Sequence, residues 1–119
     1  MSQAVVPMIH VPDVGATIKW YQKIGFILVC QNEVDGIIDW ARLSYANSEI
    51  MFTLGGKTSA ASRREVDLYI LTDAIDELHE TLTSKAEVIE APHETFYGMR
   101  EFIIRDLNGF WITFGQPTQ

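Results

Sequence analysis

The chain has 119 residues, 47% of them hydrophobic and 21% charged, with a formal net charge of −7; these are the proportions of one soluble globular domain, not of a disordered segment. Phosphate binding needs a surplus of Lys and Arg on one face, whereas the only basic pair here, Arg63–Arg64, is followed at once by Glu65 and Asp67, so no nucleic-acid partner is expected. No apolar run approaches the ~20 residues that span a bilayer, the opening MSQAVVPMIH lacks the order of a signal peptide, and the single Cys30 can form no internal disulfide; a cytoplasmic protein with no membrane partner is expected.

In chain order, residues 5–11 read as a strand, with Pro7 tolerable near its start. Asp13 is a good N-cap for a helix over 14–23, Gly25 supplies its stop, and Ile18 and Tyr21 fall on the buried face. A strand over 26–31 leads to a turn at Val34–Asp35–Gly36, and strands over 37–43 and 49–54 form a hairpin around Ala46–Asn47–Ser48. Cys30 reads as a small core residue. The polar stretch 55–64 reads as a linker. A strand over 66–71 follows, then a helix over 73–84 opened by Asp73, with Ile75, Leu78 and Leu82 on one face and His79 toward solvent. A short strand at 88–89, a loop over 91–97, and strands over 99–105 and 110–114 joined by a turn at 106–109 complete the chain.

This order repeats. Asp13 and Asp73 lie sixty residues apart, as do the alternating segments 50–55 and 110–115, each ending in Gly. The expectation is an α+β fold of two β-α-β-β-β units, about 4–55 and 65–116, with the linker at 56–64, packed about a pseudo-twofold axis as one domain. One helix can cover only one face of each sheet, leaving a concave face toward a cavity. Period-two alternation places Phe110, Ile112 and Phe114 under the helix and Trp111 and Thr113 in the cavity. The repeat likewise sends Phe52 and Leu54 inward, and Met51 and Thr53 to the cavity.

Val11–Pro12–Asp13 followed by Trp20–Tyr21 and Gly25–Phe26, with Tyr97–Gly98–Met99–Arg100–Glu101–Phe102 and Arg105–Asp106–Leu107–Asn108–Gly109, resembles the vicinal oxygen chelate superfamily. That group includes glyoxalase I, extradiol dioxygenases, fosfomycin resistance enzymes and bleomycin-binding resistance proteins. The resemblance implies metal ligands on the first and last strands of each unit, at positions held here by Val6, Thr53, Val66 and Thr113. Two valines and two neutral hydroxyls cannot hold a divalent ion, so no metal and no other cofactor is expected.

Other chemistry has little support. There is no Gly-x-Ser-x-Gly elbow, no phosphate loop, and no paired His with metal spacing. His10 shares its strand parity with Met8 and Val6 and so turns to the cavity, and Glu101 is expected to pair with Arg42 or Arg100. Trp40 shares a face with Arg42, and Phe96 and Tyr97 border the last hairpin, giving the aromatic and polar mix that suits a flat or cationic organic ligand. The expected ligand-binding set is Met8, His10, Trp40, Arg42, Met51, Thr53, Phe96, Tyr97, Glu101, Trp111 and Thr113. The expected function is metal-free sequestration of a small organic or cationic aromatic molecule, such as an antibiotic, by a homodimer similar to the bleomycin-resistance members. The alternative is a lyase, isomerase or other enzyme of the superfamily using His10, Glu101 or His93 as acid–base groups or a non-standard metal site. No catalytic residue is assigned.

Overall fold

The computed structural model describes residues 4–56 and 65–118. The chain divides into two compact units, one on either side of residue 58. In the first, β1 (Met8–Val11), α1 (Val14–Lys23), β2 (Ile27–Val34), β3 (Ile37–Tyr45) and β4 (Ser48–Leu54) form a helix and a four-stranded sheet of order β1-β4-β3-β2. In the second, β5 (Asp67–Leu71), α2 (Ile75–Leu82), β6 (Glu87–Glu94), β7 (Met99–Arg105) and β8 (Trp111–Pro117) form a sheet of order β5-β8-β7-β6. β1 runs parallel to β4 and β5 parallel to β8, while the remaining pairs are antiparallel. Both units are therefore β-α-β-β-β, as the sequence repeat predicts. Of the expected linker, Gly55 and Gly56 are described and 57–64 lie outside the described residues.

Helix α1 starts and stops where its residues dictate. The Asp13 carboxylate accepts the Ala16 N–H at 2.9 Å, satisfying an amide with no partner inside the helix. At the other end Gly25 adopts φ +112°, a conformation that costs glycine little. Val14, Ile18 and Tyr21 are buried, and the Tyr21 ring packs 4.8 Å from Phe52 and 5.0 Å from Phe26. The hairpin from β2 to β3 turns on Asp35 and Gly36, both with positive φ, the geometry whose twist matches that of paired strands.

The second unit departs from the expected copy at its helix. α2 begins at Ile75 rather than at Asp73, and its N-cap, Ala74, has no side chain to offer. Strand β8 substitutes: Gln116 Oε1 accepts the Ile75 N–H at 2.9 Å, and Thr72 Oγ1 accepts that of Ala74 at 3.1 Å. Ile75 and Leu82 are buried as expected. His79 does not turn to solvent; its ring meets Phe102 edge-on at 5.3 Å, while Phe102 and Phe114 stack at 4.9 Å and 16°. Phe102, Ile104, Ile112 and Phe114 have no exposed surface and form the layer beneath α2.

Three further expectations are corrected. Leu54 remains 40% exposed although its parity matches that of Phe52, for it is the last residue of β4. Cys30 is exposed, since β2 lies at the edge of its sheet. Strand β6 runs to Glu94, so His93 lies in a strand and the loop shrinks to 95–98. The repeat distance is also not uniform. Met8 pairs with Met51 and Asp67 with Trp111, so the first strands repeat at fifty-nine residues and the last strands at sixty.

The caps provide a test. Asp13→Ala is expected to cost ~0.5–2 kcal/mol in urea unfolding, whereas Asp73→Ala, at a position that caps nothing, should stay within ~0.5 kcal/mol of the parent.

Candidate functional site

Directly paired residues share a sheet face. In the first unit the face away from α1 carries two transverse rows, His10–Thr53–Trp40–Asn32 and Met8–Met51–Arg42–Cys30. All six site residues expected in this unit, Met8, His10, Trp40, Arg42, Met51 and Thr53, thus stand together. Met8 and His10 are exposed, and the other four are partly covered. The Arg42 Nε is buried without a hydrogen-bond acceptor, 3.6 Å from Glu49 Oε1.

In the second unit the face away from α2 carries the rows Asp67–Trp111–Arg105 and Tyr69–Thr113–Ile103, followed by Leu71–Gly115–Glu101–His93. Trp111, Thr113 and Glu101 are therefore neighbours here, as their alternation predicts. Tyr97 projects from the 95–98 loop. That loop is closed by Thr95, whose N–H donates to the Met99 carbonyl at 2.8 Å, and by Gly98 at φ +82°. Phe96 is fully exposed and touches the Tyr97 ring edge-on at 5.1 Å.

Glu101 is the centre of this face. It is 5% exposed, and within its own unit it does not pair with Arg100 as expected. Arg42 pairs with Glu49 in the first unit. Arg100 points to the other side of β7, where its guanidinium grips Asp76 of α2 at 2.8 Å. The Glu101 carboxylate accepts instead from two phenols, Tyr69 at 2.6 Å on Oε2 and Tyr97 at 2.8 Å on both oxygens. Tyr69 reaches it by lying across Gly115: a Cβ there would fall 2.1 Å from the Tyr69 hydroxyl.

Burial, then the hydrogen bond and charge of Glu101, push the Tyr69 phenol far above its ordinary value of 10.0. For Tyr97 the Glu101 hydrogen bond acts first and desolvation second, in the same direction. Both phenols are thereby held as neutral donors.

Sequence reasoning missed Tyr69. A uniform sixty-residue repeat puts Val66 on the open face, and with it Leu68 and Ile70. The one-residue difference in the first strands turns Asp67 and Tyr69 there instead. The signal was present in the alternation itself, with apolar Leu68 and Ile70 flanking Tyr69, and in Gly115, the vacancy its ring requires. His93 is the register partner of Glu101, yet its Nε2 lies 3.5 Å from Glu90 Oε1 and its Nδ1 3.0 Å from the Ala91 carbonyl oxygen.

A chelated metal does not fit these residues. Val6 and Val66 precede β1 and β5 and have no donor atoms, and Tyr69, not Val66, stands beside Thr113. The Thr53 hydroxyl donates to the Asp39 carbonyl at 3.3 Å. Among the described residues no three of His, Cys, Asp and Glu come close enough together to share an ion. Among the same residues no helix is long and apolar enough to cross a membrane.

Residues 4–114 match the family model of the Glyoxalase/Bleomycin resistance protein/Dioxygenase superfamily, and the chain belongs to that superfamily. Among solved structures it is similar to TioX from Micromonospora sp. ML1, with a TM-score of 0.76 at 20% identity over 96% of this chain and 95% of that one. A bleomycin-binding protein complexed with bleomycin gives 0.77 at 16% identity over 97% and 98%. The bleomycin-binding protein of bleomycin-producing Streptomyces verticillus, complexed with copper(II)-bleomycin, gives 0.72 at 20% over 96% and 95%. At these identities the likeness establishes the fold. No curated protein matches the sequence significantly.

The phenol–carboxylate cluster predicts a titration. Because the folded phenol values are raised, the stability they contribute is complete below the ordinary 10.0 and is lost as pH climbs through it toward the folded values. Glu101→Gln should bring the late-titrating phenols back toward 10.0 in a near-ultraviolet tyrosinate titration. Tyr97 should move further than Tyr69, whose shift comes first from burial.

Proposed function

We propose that this protein binds a small organic molecule with an aromatic surface, without a chelated metal and without transforming it. The observation that carries the reading is the content of the two helix-free faces. In the second unit Trp111 and Tyr69, with Tyr97 and Phe96 in the loop beside them, supply rings for stacking, and in the first unit Trp40 does; among the described residues no three of His, Cys, Asp and Glu gather to hold an ion. Bleomycin-binding proteins among the structural neighbours support small-molecule binding.

The same reading includes a cytoplasmic homodimer. β2 is an edge strand with Ile27, Val29 and Val34 exposed, a row of apolar groups and unpaired backbone suited to a second copy.

The test uses naphthylmethanol, a neutral bicyclic probe, read by quenching of tryptophan fluorescence. Trp111→Ala should weaken binding roughly ten- to a hundredfold, the value of one stacked ring at ~1–3 kcal/mol. Phe114→Ala, under α2, should cost ~3–5 kcal/mol of folding stability while the folded fraction binds as before. Zinc, nickel, manganese or iron should leave the melting temperature unchanged. Metal-dependent binding, or binding indifferent to Trp111 and abolished by Phe114→Ala, contradicts the reading.

A further inference from the structure

We infer that Glu101, with Tyr69 and Tyr97, forms a recognition site for a protonated amine on the ligand. This rests on the binding reading above and adds the chemical class of one end of the molecule.

The inference follows from where the protons go. A phenol has one hydrogen to donate and lone pairs with which to accept. Both hydroxyl hydrogens here are committed inward, to Glu101 Oε2 from Tyr69 and to both carboxylate oxygens from Tyr97. Each phenol oxygen is left only as an acceptor, and donation to a carboxylate makes it a stronger one. The rings of these residues, which are 49% and 56% exposed, add the negative faces of two π systems.

The two phenols and the carboxylate therefore offer acceptors, and the Thr95 hydroxyl beside Tyr97 donates to the Met99 carbonyl at 3.1 Å. A carboxylate or phosphate on the ligand would find nothing to bond and a negative charge behind it.

Among the described residues of its own unit no cation pairs with the Glu101 carboxylate. Glu101 is 5% exposed, and its three hydrogen bonds come from neutral groups. The two nearest arginines in sequence are engaged elsewhere, Arg100 with Asp76 and Arg105 with Glu87 at 3.5 Å. His93, across the ladder from Glu101, turns its ring to Glu90 at 3.5 Å. An ammonium group set against the two phenol oxygens would neutralise this carboxylate through them, and the rings on the same face would take the aromatic part of the ligand.

Three matched probes separate this inference from the broader reading: naphthylmethylamine, naphthylmethanol and naphthoate, each titrated into the full chain with tryptophan fluorescence as the readout. The amine should bind at least tenfold more tightly than the alcohol, and the carboxylate more weakly than either. Glu101→Gln should reduce the amine to near the level of the alcohol, a loss of about ten- to a hundredfold for a charged hydrogen bond and far larger than any loss the uncharged alcohol shows. Glu80→Gln, an exposed charge on α2, removes the same unit of net charge and should preserve the amine preference.

Tyr97→Phe, at an exposed residue, repeats the test should Glu101→Gln fail to fold; it should lower the amine's affinity severalfold and the alcohol's by less. Equal binding of amine and alcohol to the parent protein overturns the amine site and leaves the binding reading standing. So does an amine preference that survives Glu101→Gln or falls equally with Glu80→Gln. Failure of all three probes to bind overturns both.

Discussion

A single short helix covers one face of a four-stranded sheet and leaves the other without a layer of its own. Everything else in each unit follows from that asymmetry. Under α2 the sheet is apolar and closed: Phe102 stacks on Phe114, and Ile104 and Ile112 are fully buried. Under α1 the same is true of Phe52, Ala41 and Leu43, with Tyr21 as the wedge between helix and sheet. Deleting one such aromatic would leave a cavity that rigid neighbours fill only in part. The packed face fixes the strand phase, and the strand phase decides which side chains stand on the open face.

On the open face of the second unit the consequence is a buried acid held by neutral partners. Removing a carboxylate from water costs several kcal/mol unless its oxygens are satisfied, and hydrogen bonds to a charged group return ~1.5–3 kcal/mol each. Two phenols therefore offset much of the penalty without cancelling the charge. That geometry depends on Gly115, where any side chain would occupy the place of the Tyr69 hydroxyl. An arginine would have neutralised Glu101 outright, but Arg100 faces α2 and clamps it to β7 through Asp76. Strand parity thus gives adjacent residues of β7 opposite tasks, Arg100 holding the helix and Glu101 facing outward.

Much of the fold was legible in the residues, for reasons that differ from element to element. α1 is bounded by a side chain that caps and a glycine that stops, so its limits could be read directly. β7 alternates between a packed layer and an open face, and its limits too agree. β6 gave little signal, because an edge strand of Glu, Pro and His has no apolar period to display. The start of α2 misled because Asp73 resembles Asp13, while the cap comes from Gln116, forty-one residues further along the chain. The face shared by Trp111, Thr113 and Glu101 was readable from alternation in the last hairpin. Tyr69 was not found, because one residue's difference in repeat length turns a strand over. Superfamily membership, inferred from local motifs, agrees with the match over 4–114.

If the helix-free face of the second unit receives the ligand, its amides must sense the binding. Amide chemical shifts followed by nuclear magnetic resonance during titration with naphthylmethylamine test it most directly. The largest changes should fall on β5, β7, β8 and the 95–98 loop, centred on Tyr69, Tyr97, Glu101 and Trp111, with α2 nearly silent. Changes concentrated on α2 and its facing residues Phe102 and Phe114, with the open face unmoved, would contradict it.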